Sequence, residues 1–330
     1  MLSLREELFQ IEFGQYQHFR NLTLFPLLRS AAALPARDYL LLDDGIAQNL
    51  VHVTELHAAG SVPELFVTND AALPVLLVDG EELLGAKQNR VLNLSILIPA
   101  HFKCSIPVSC VEAGRWRMAS AEFKTADHFY YGSARAQRLS QVTDSMRATG
   151  SRLSVQEAVW DEVASKLSRL DTQSPTRAVA EIYARHSASL DEFARVFHWQ
   201  ERQCGVAFAI SGSISGIDVF DHPEVMRHFF PKLLRSFVLD ALDSPAGESS
   251  APSEASLSAF LSAVAGSAAF ADNAIGLGKD VRFTAPSLSG AALWAQDRYL
   301  HVCAFPSAST PTPHASFHTR MSRPKQRRGF

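Results

Sequence analysis

The sequence predicts an α+β protein, with an N-terminal, mainly antiparallel β-sandwich or barrel-like lobe followed by a helical and α+β lobe. Short apolar runs bounded by turn residues follow one another from about residue 22 to 123, as expected for antiparallel strands. Further along the chain, apolar residues recur at the spacing of a helix. The chain has 330 residues, more than the size at which a single core usually stops growing, so two lobes are expected.

The first lobe, residues 1–130, contains several predicted strands and one short helix at 43–49. In the run 91–98, leucine and isoleucine alternate with Asn93 and Ser95, which is the period of a strand with one buried and one polar face. The predicted strands are 22–28, 39–42, 51–56, 65–68, 75–78, 91–98 and 103–111.

The second lobe, residues 131–305, begins with helices. Ser154 and Glu157 have the spacing of a capping box and predict a helix that starts close to Ser154. Ser174 precedes a proline, the pattern of another helix start, and apolar residues at 190–198 share one helical face.

Strands return after these helices. A hairpin is predicted from runs at 206–210 and 214–220, which glycine and serine separate. Asp221 should then cap a helix that Pro231 kinks or restarts. The predicted closing strands are 281–284, 291–294 and 299–305.

Two segments have the composition of disordered chain. Residues 244–256 are rich in serine, proline, alanine and glycine, and predict a flexible loop. Residues 306–330 predict a disordered basic tail, because they contain prolines, no acids and five cations. These cations are Arg320, Arg323, Lys325, Arg327 and Arg328.

Composition limits the partners of the protein. Hydrophobic residues make up 47% of the chain and charged residues 20%, an ordinary globular balance. A net charge of -3 gives no chain-wide attraction to nucleic acid or to an anionic membrane, so nucleic acid is expected to bind only through the basic tail.

Cysteine spacing and hydropathy indicate the compartment. The four cysteines include no C-x-x-C pair, so neither a zinc site nor a disulfide framework is indicated. No apolar run approaches the roughly 18 residues of a membrane span. A cytoplasmic protein without a membrane segment is expected, and no metal or cofactor is identified.

Polar residues concentrate at 79–93, directly after the predicted strand 75–78, and at 109–116, one strand later. Paired carboxylates can divide acid and base roles when their pKa values differ, and Lys87 with Arg90 could bind phosphate oxygens. The cluster therefore suits a phosphorylated, polar ligand. The candidate catalytic residues are Glu81, Glu82, Glu112 and Cys110, and the candidate ligand-binding residues are Asp79, Lys87, Gln88, Asn89, Arg90, Asn93, Arg115 and Trp116.

Structural alternatives exist for several of these residues. Glu81 and Glu82 could belong to a solvated turn, although the neighbouring amides, arginine and asparagine are better explained by a ligand site. Cys110 is more typical of a small buried hydrophobe than of a nucleophile, because the sequence places no histidine beside it. Trp116 is more typical of a core or rim position than of a stacking platform.

Specific stretches carry a resemblance to a known family. They are Gly85-Ala-Lys-Gln-Asn-Arg90, Ile106-Pro-Val-Ser-Cys-Val-Glu112, Asp218-Val-Phe-Asp221 and His301-Val-Cys-Ala-Phe305. These stretches resemble the ADP-ribosylglycohydrolase- and rhodanese-phosphatase-associated domain family of prokaryotes, and the similarity extends along nearly the whole chain up to Phe305. The resemblance implies a role around NAD-derived nucleotides, and it assigns no catalytic residue.

Three hypotheses of different classes follow. The first is an enzyme, a hydrolase or transferase, that acts on an NAD- or ADP-ribose-like ligand through one of the three glutamates. The second is a non-catalytic binding module for the same ligand. The third is a scaffold whose basic tail binds a partner or nucleic acid.

Overall fold

Antiparallel pairing dominates the computed structural model, which describes residues 4–30, 36–244 and 250–307. The predicted α+β class is confirmed, because the described residues form eight helices and eighteen strands. The helices are α1 (Leu4–Leu8), α2 (Leu42–Ala47), α3 (Gly132–Thr149), α4 (Gln156–Arg169), α5 (Val179–Arg185), α6 (Ser187–Ala194), α7 (Pro223–Asp243) and α8 (Glu254–Ala265).

Strands occur both before and after α3. Those before α3 are β1 (Glu12–Phe13), β2 (Gln17–Phe19), β3 (Leu22–Leu28), β4 (Leu40–Leu41), β5 (Val51–Glu55), β6 (Glu64–Asn69), β7 (Val75–Leu77), β8 (Glu81–Gly85), β9 (Arg90–Leu92), β10 (Ile96–Ile98), β11 (Phe102–Cys110) and β12 (Phe123–Phe129). Those after it are β13 (Gln203–Ile210), β14 (Ser213–Phe220), β15 (Ala268–Asn273), β16 (Lys279–Ala285), β17 (Leu288–Ala295) and β18 (Arg298–Pro306).

The strands of the described chain form three sheets. The nine-stranded sheet has the order β1-β3-β13-β14-β18-β17-β16-β15, with β2 paired to β3. The six-stranded sheet has the order β12-β8-β9-β11-β6-β5, and the three-stranded sheet the order β10-β7-β4, in which β4 and β7 are parallel. Because β3 pairs with β13, the first strands lie in one sheet with the last ones. The division into lobes at residue 130 stays a prediction.

The run 91–98 is not the single half-buried strand that its alternation predicts. It forms β9 and β10, which belong to different sheets, and Asn93 and Ser95 are buried between them. The polar side chains are accommodated by hydrogen bonds: Ser109 donates to Asn93 at 2.6 Å, and Ser95 accepts the backbone N–H of Asp79 at 2.9 Å. The alternation therefore arises from internal hydrogen bonding and not from exposure to water.

Two helices differ from the predictions. The sequence patterns do not predict α3, whose buried side includes Arg135, Arg138 and Thr143. The capping box at Ser154 does not form, because α4 begins at Gln156 without a side-chain cap and the Ser154 hydroxyl lies 2.6 Å from that of Ser109. The periodicity of apolar residues correctly predicts α4, but the residue at which the helix begins depends on the contact of Ser154 with Ser109, which is distant in sequence.

The other predicted helix starts are shifted by local turns. Ser174 accepts the N–H of Ala178, and α5 begins only at Val179. His222, not Asp221, caps α7 by accepting the N–H of Glu224 at 3.2 Å. The helix is continuous through Pro231.

Helix α7 carries the predicted apolar stripe, whose members are all buried. Phe237 stacks on Phe208 of β13 with ring centroids 4.2 Å apart. Burying one such side chain contributes roughly 1.5–3 kcal/mol, so this face fixes α7 on the nine-stranded sheet. The stripe consists of Leu233, Leu234, Phe237, Val238 and Ala241.

The predicted loop and tail extend beyond the described chain. Residues 245–249 of the loop and 308–330 of the tail lie outside it. The end of the predicted loop is helical, because Ser253 caps α8 by accepting the N–H of Ser256.

No helix formed by the described residues has the length and apolarity needed to cross a membrane, and the cytoplasmic location stays a prediction.

Candidate functional site

The polar residues predicted from the sequence form a mostly buried set and not a solvated turn. Residues 81–85 are strand β8, in the interior of the six-stranded sheet. Glu81 is 1% exposed, Glu82 0% and Arg90 0%, which excludes a solvated turn at these positions. Charges so deeply buried need partners, and the partners divide the set into several groups.

Glu112 belongs to an internal ion pair. Its carboxylate accepts two bonds from the Arg115 guanidinium, at 2.9 and 2.7 Å, and the backbone N–H of Asn89 at 3.0 Å. Burial would raise the pKa of Glu112, but these donors lower it below its usual value. A carboxylate held by a two-point arginine contact joins two loops and is poorly suited to exchange protons.

Arg90 is held by protein groups. It donates to the Gln88 side-chain oxygen at 3.2 Å and to the carbonyl oxygen of Ser61 at 3.4 Å. Its guanidinium lies 5.9 Å from the ring centroid of Trp116, and the Lys87 ammonium lies 5.2 Å from the same centroid. The structure thus brings Lys87 and Arg90 together on the half-exposed indole, with Arg90 itself buried.

Cys110 and Asn93 are also engaged internally. The Cys110 thiol lies 3.1 Å from the Gln88 side-chain oxygen, and burial raises its pKa. A thiol whose pKa is raised is a poor nucleophile at neutral pH. Asn93 donates to the carbonyl oxygen of Arg152 at 3.1 Å. Both residues therefore have structural contacts.

Glu82 is bound to a histidine that the sequence analysis did not select. His128 Nε2 lies 2.9 Å from Glu82, and its Nδ1 lies 2.8 Å from Asp127. Burial would lower the pKa of His128, but the charge of Glu82 and the bonds to both carboxylates raise it above its usual value. The ring also stacks on Tyr183 at 3.7 Å between centroids, so Glu82 is enclosed.

Asp79 lies in a second buried network. Its carboxylate accepts bonds from Arg135 at 3.2 Å and from Arg138 at 2.7 Å. Arg135 also donates two bonds, at 2.7 and 3.0 Å, to Asp218. His301 lies 3.1 Å from Asp218. This network joins the β7–β8 turn, α3 and the nine-stranded sheet.

One cluster has the geometry of a metal site. Ligand atoms of Asp218, His301 and Cys303 lie within 4.8 Å of one another, on neighbouring strands. Asp218 already accepts two bonds from Arg135, and burial raises the pKa of the Cys303 thiol. A cation would have to bind beside the positive charge of Arg135 or displace it from Asp218, and burial disfavours the thiolate that would be its ligand, so the cluster is a poor fit for a metal ion.

Glu81 differs from the other candidates because it adjoins partly exposed groups. One carboxylate oxygen accepts the backbone N–H of Val78 at 2.7 Å. The other has no hydrogen-bond partner among the described residues and lies 3.9 Å from the Lys232 ammonium. Lys232 and His228 lie 2.7 and 2.6 Å from the same oxygen of Asp43. We call Asp43, Glu81, His228 and Lys232 the Glu81 group.

Three members of the Glu81 group reach the protein surface. Side chains of Asp43, His228 and Lys232 are 19%, 29% and 12% exposed, with Glu81 beneath them at 1%. His228 and Lys232 are four residues apart on α7 and so share one helix face. Asp43 lies in the first turn of α2.

The two carboxyls of the Glu81 group have opposite electrostatic environments. Burial raises the pKa of Glu81 to about 7, although the charge of Lys232 lowers it in part. For Asp43, burial acts in the same direction, but the His228 bond and the Lys232 charge prevail and hold its pKa well below the usual range. One carboxyl can therefore carry a proton at neutral pH while its neighbour stays ionised.

Sequence reasoning nominated Glu81 but not its three partners. Asp43 precedes Glu81 by 38 positions, and Lys232 follows it by 151, so no local spacing connects them. Their chemistry depends on α2 and α7 meeting near the start of β8, which only the fold determines.

Comparison with known proteins gives one result. The family model described as the ARG and Rhodanese-Phosphatase-superfamily-associated Protein domain matches residues 10–305. No curated protein and no solved structure matches the chain significantly. The match covers nearly all of the described residues, including the Glu81 group and both buried networks. The chain therefore belongs to the ARG- and rhodanese-phosphatase-superfamily-associated protein domain family.

Proposed function

We propose that this protein is a hydrolase for a phosphorylated, NAD-derived nucleotide of the ADP-ribose kind, with Glu81 as its general acid. The observation that carries the proposal is the opposite pKa shift of Glu81 and Asp43 within one group. Carboxyls whose pKa values are pushed apart can divide acid and base roles in hydrolysis. The family's association with ADP-ribosylglycohydrolases supports the choice of ligand class.

The residues of the Glu81 group have distinct roles in this proposal. Glu81, protonated below about pH 7, gives its proton to the leaving oxygen as the bond to the ribosyl carbon breaks. Asp43 stays ionised and orients the attacking water, or stabilises positive charge that develops on the sugar. Lys232 lies between the carboxylates and can neutralise a phosphate oxygen of the ligand. Water then supplies the proton that returns to Glu81.

A second candidate is a binding module for the same ligand without turnover. It is favoured by Trp116, which is 49% exposed and has two cationic groups close to its ring. Aromatic rings of this kind stack nucleobases, and nearby cations attract phosphate. Under this reading the Glu81 group would contribute to structure or affinity only.

Incubation of the full chain with NAD, ADP-ribose and related sugar phosphates, followed by chromatography, distinguishes these functions. The proposal predicts a product from at least one ligand. For Glu81→Gln it predicts retained binding and a rate lower by a factor of roughly 100 or more, since general acids contribute about that much. Glu122→Gln is the matched control, because Glu122 is half exposed and outside the group. Its rate should equal that of the unsubstituted protein.

Melting temperatures complete the experiment. A ligand that raises the melting temperature but is recovered intact would support the binding module, because binding to the native state alone stabilises it. If no ligand is consumed and none raises the melting temperature, the proposed function is wrong.

A further inference from the structure

A groove follows one side of α3. It consists of two adjoining cavities of about 670 and 500 Å³, which share Ser133, Gln137 and Ser215 as lining residues. Volumes of this order match known ligand pockets. Remaining walls come from α4, the C-terminal end of α7 and the β13–β14 hairpin. We call this surface the α3 groove.

The α3 groove carries excess negative charge. Four carboxylates line it, from Asp144, Glu162, Asp240 and Asp243, together with the single cation Arg169. Lys166 lies beneath and contacts Asp240 at 2.6 Å and Asp243 at 2.9 Å, so the net charge is -2, from four acids and two bases. Asp144 is exposed and has no ion pair within the described residues. The groove therefore suits a cationic partner.

The described chain ends at this groove. Pro306 and Ser307 line the smaller cavity, so residues 308–330 continue from its wall. They contain five cations and no acid. The first cation, Arg320, is 13 residues beyond Ser307, and this length can span up to roughly 40 Å. This length is sufficient for the cations to turn back toward the groove.

We propose that the basic segment 314–330 binds intramolecularly in the α3 groove. Individual surface ion pairs are weak, but attachment to Ser307 gives the segment an effective concentration in the millimolar range. An intrinsic dissociation constant of roughly 100 µM would then keep the groove about 90% occupied. The groove contains no member of the Glu81 group, so this inference is independent of the proposed function.

Competition with a labelled peptide tests the proposal in the full chain. The probe is a fluorescent peptide of residues 314–330, and binding is measured by fluorescence anisotropy at low salt. In the tail-neutral chain, each of Arg320, Arg323, Lys325, Arg327 and Arg328 is replaced by Gln. The peptide should bind this chain about 10-fold more tightly than the unsubstituted chain, whose own tail competes at the effective concentration given above.

Substitutions in the groove locate the site. In the tail-neutral chain, Asp144→Lys should weaken peptide binding several-fold. Asp161→Lys is the matched control, because Asp161 is also an exposed helix residue without an ion pair in the described chain but is not part of the groove. Its effect should be negligible.

Three results would overturn the proposal. The first is equal peptide affinity for the unsubstituted and tail-neutral chains, and the second is an equal effect of the two aspartate substitutions. The third is competition that strengthens with protein concentration, because the segment would then bind a second copy of the chain.

Discussion

At the scale of single residues, Glu81 and Glu112 illustrate how contacts give two glutamates opposite properties. Both were candidates from the sequence, and both are buried. Glu112 meets the fork of Arg115, which lowers its pKa, whereas burial raises the pKa of Glu81 to about 7. Residue type and position in the sequence make both glutamates candidates. The contacts that give them opposite pKa shifts come from residues distant in sequence or from an adjacent loop.

The raised pKa of Glu81 predicts a pH-dependent effect of Glu81→Gln on stability. The folded protein holds this proton up to about pH 7, and the unfolded chain releases it near 4.5, so ionisation of Glu81 destabilises the fold as pH rises between these values. The full cost is about 3 kcal/mol. Relative to the unsubstituted protein, the free energy of unfolding of Glu81→Gln should rise by up to this amount between pH 5 and 8.

Urea denaturation at a series of pH values measures this difference. Glu112→Gln is the control of opposite sign, because the lowered pKa of Glu112 stabilises the fold above about pH 4.5, where a free glutamate titrates, and this contribution is lost as pH falls below it. The free energy of unfolding of Glu112→Gln should be lower than that of the unsubstituted protein by the same amount at every pH from 5 to 8. A pH-independent difference for Glu81→Gln would show that burial does not raise the pKa of Glu81.

At the scale of elements, the turn between β7 and β8 determines where Glu81 and Asp79 point. Strand β8 was not predicted, because glutamates are uncommon in strands and the run 79–90 was interpreted as a polar cluster that follows a strand. Gly80 has a φ of +89°, a conformation that side chains rarely adopt. A Cβ atom there would lie 2.5 Å from Nε of Arg135. The turn therefore needs glycine for its conformation and for its approach to α3.

Gly80→Ala should lower the free energy of unfolding by more than about 2 kcal/mol, through backbone strain and displacement of Arg135. Gly150→Ala separates these causes. Gly150 ends α3 with a φ of +73°, but apart from its chain neighbours no atom of the described residues lies within 4 Å of the position that an alanine methyl would take, so only the strain of about 1 kcal/mol remains. Equal losses in thermal or chemical denaturation would contradict the close contact between Gly80 and Arg135.

At the scale of the whole molecule, local patterns predicted the α+β class, the β13–β14 hairpin and the buried stripe of α7. They did not predict α3, because its core-facing side carries Arg135 and Arg138 where periodicity requires apolar residues. These arginines are buried only because Asp79 and Asp218 meet them. Such long-range ion pairs leave no local signal in the sequence. This explains why the sequence indicated Asp79 as a candidate residue but not its pairing with the buried arginines.

The buried network predicts a large effect of Arg135→Met. Removal of one partner leaves the charges of Asp79 and Asp218 partly uncompensated in the core, which typically costs about 3–5 kcal/mol. Arg147→Met on the same helix is the control, because Arg147 is exposed and donates to Thr284 at 2.8 Å. Arg147→Met should lower the free energy of unfolding by less than about 1 kcal/mol. Comparable losses in chemical denaturation would contradict a central role of the network.

The pH dependence of turnover tests the role of Glu81 most directly. With the ligand consumed in the chromatographic assay, kcat/KM should fall as pH rises through about 7, because only protonated Glu81 can act as the acid. Lys232→Met removes the cation that lowers the pKa of Glu81, so the inflection should move to higher pH, whatever the effect on the maximal rate. A profile without an inflection near 7, or an inflection that Lys232→Met leaves in place, would contradict Glu81 as the general acid.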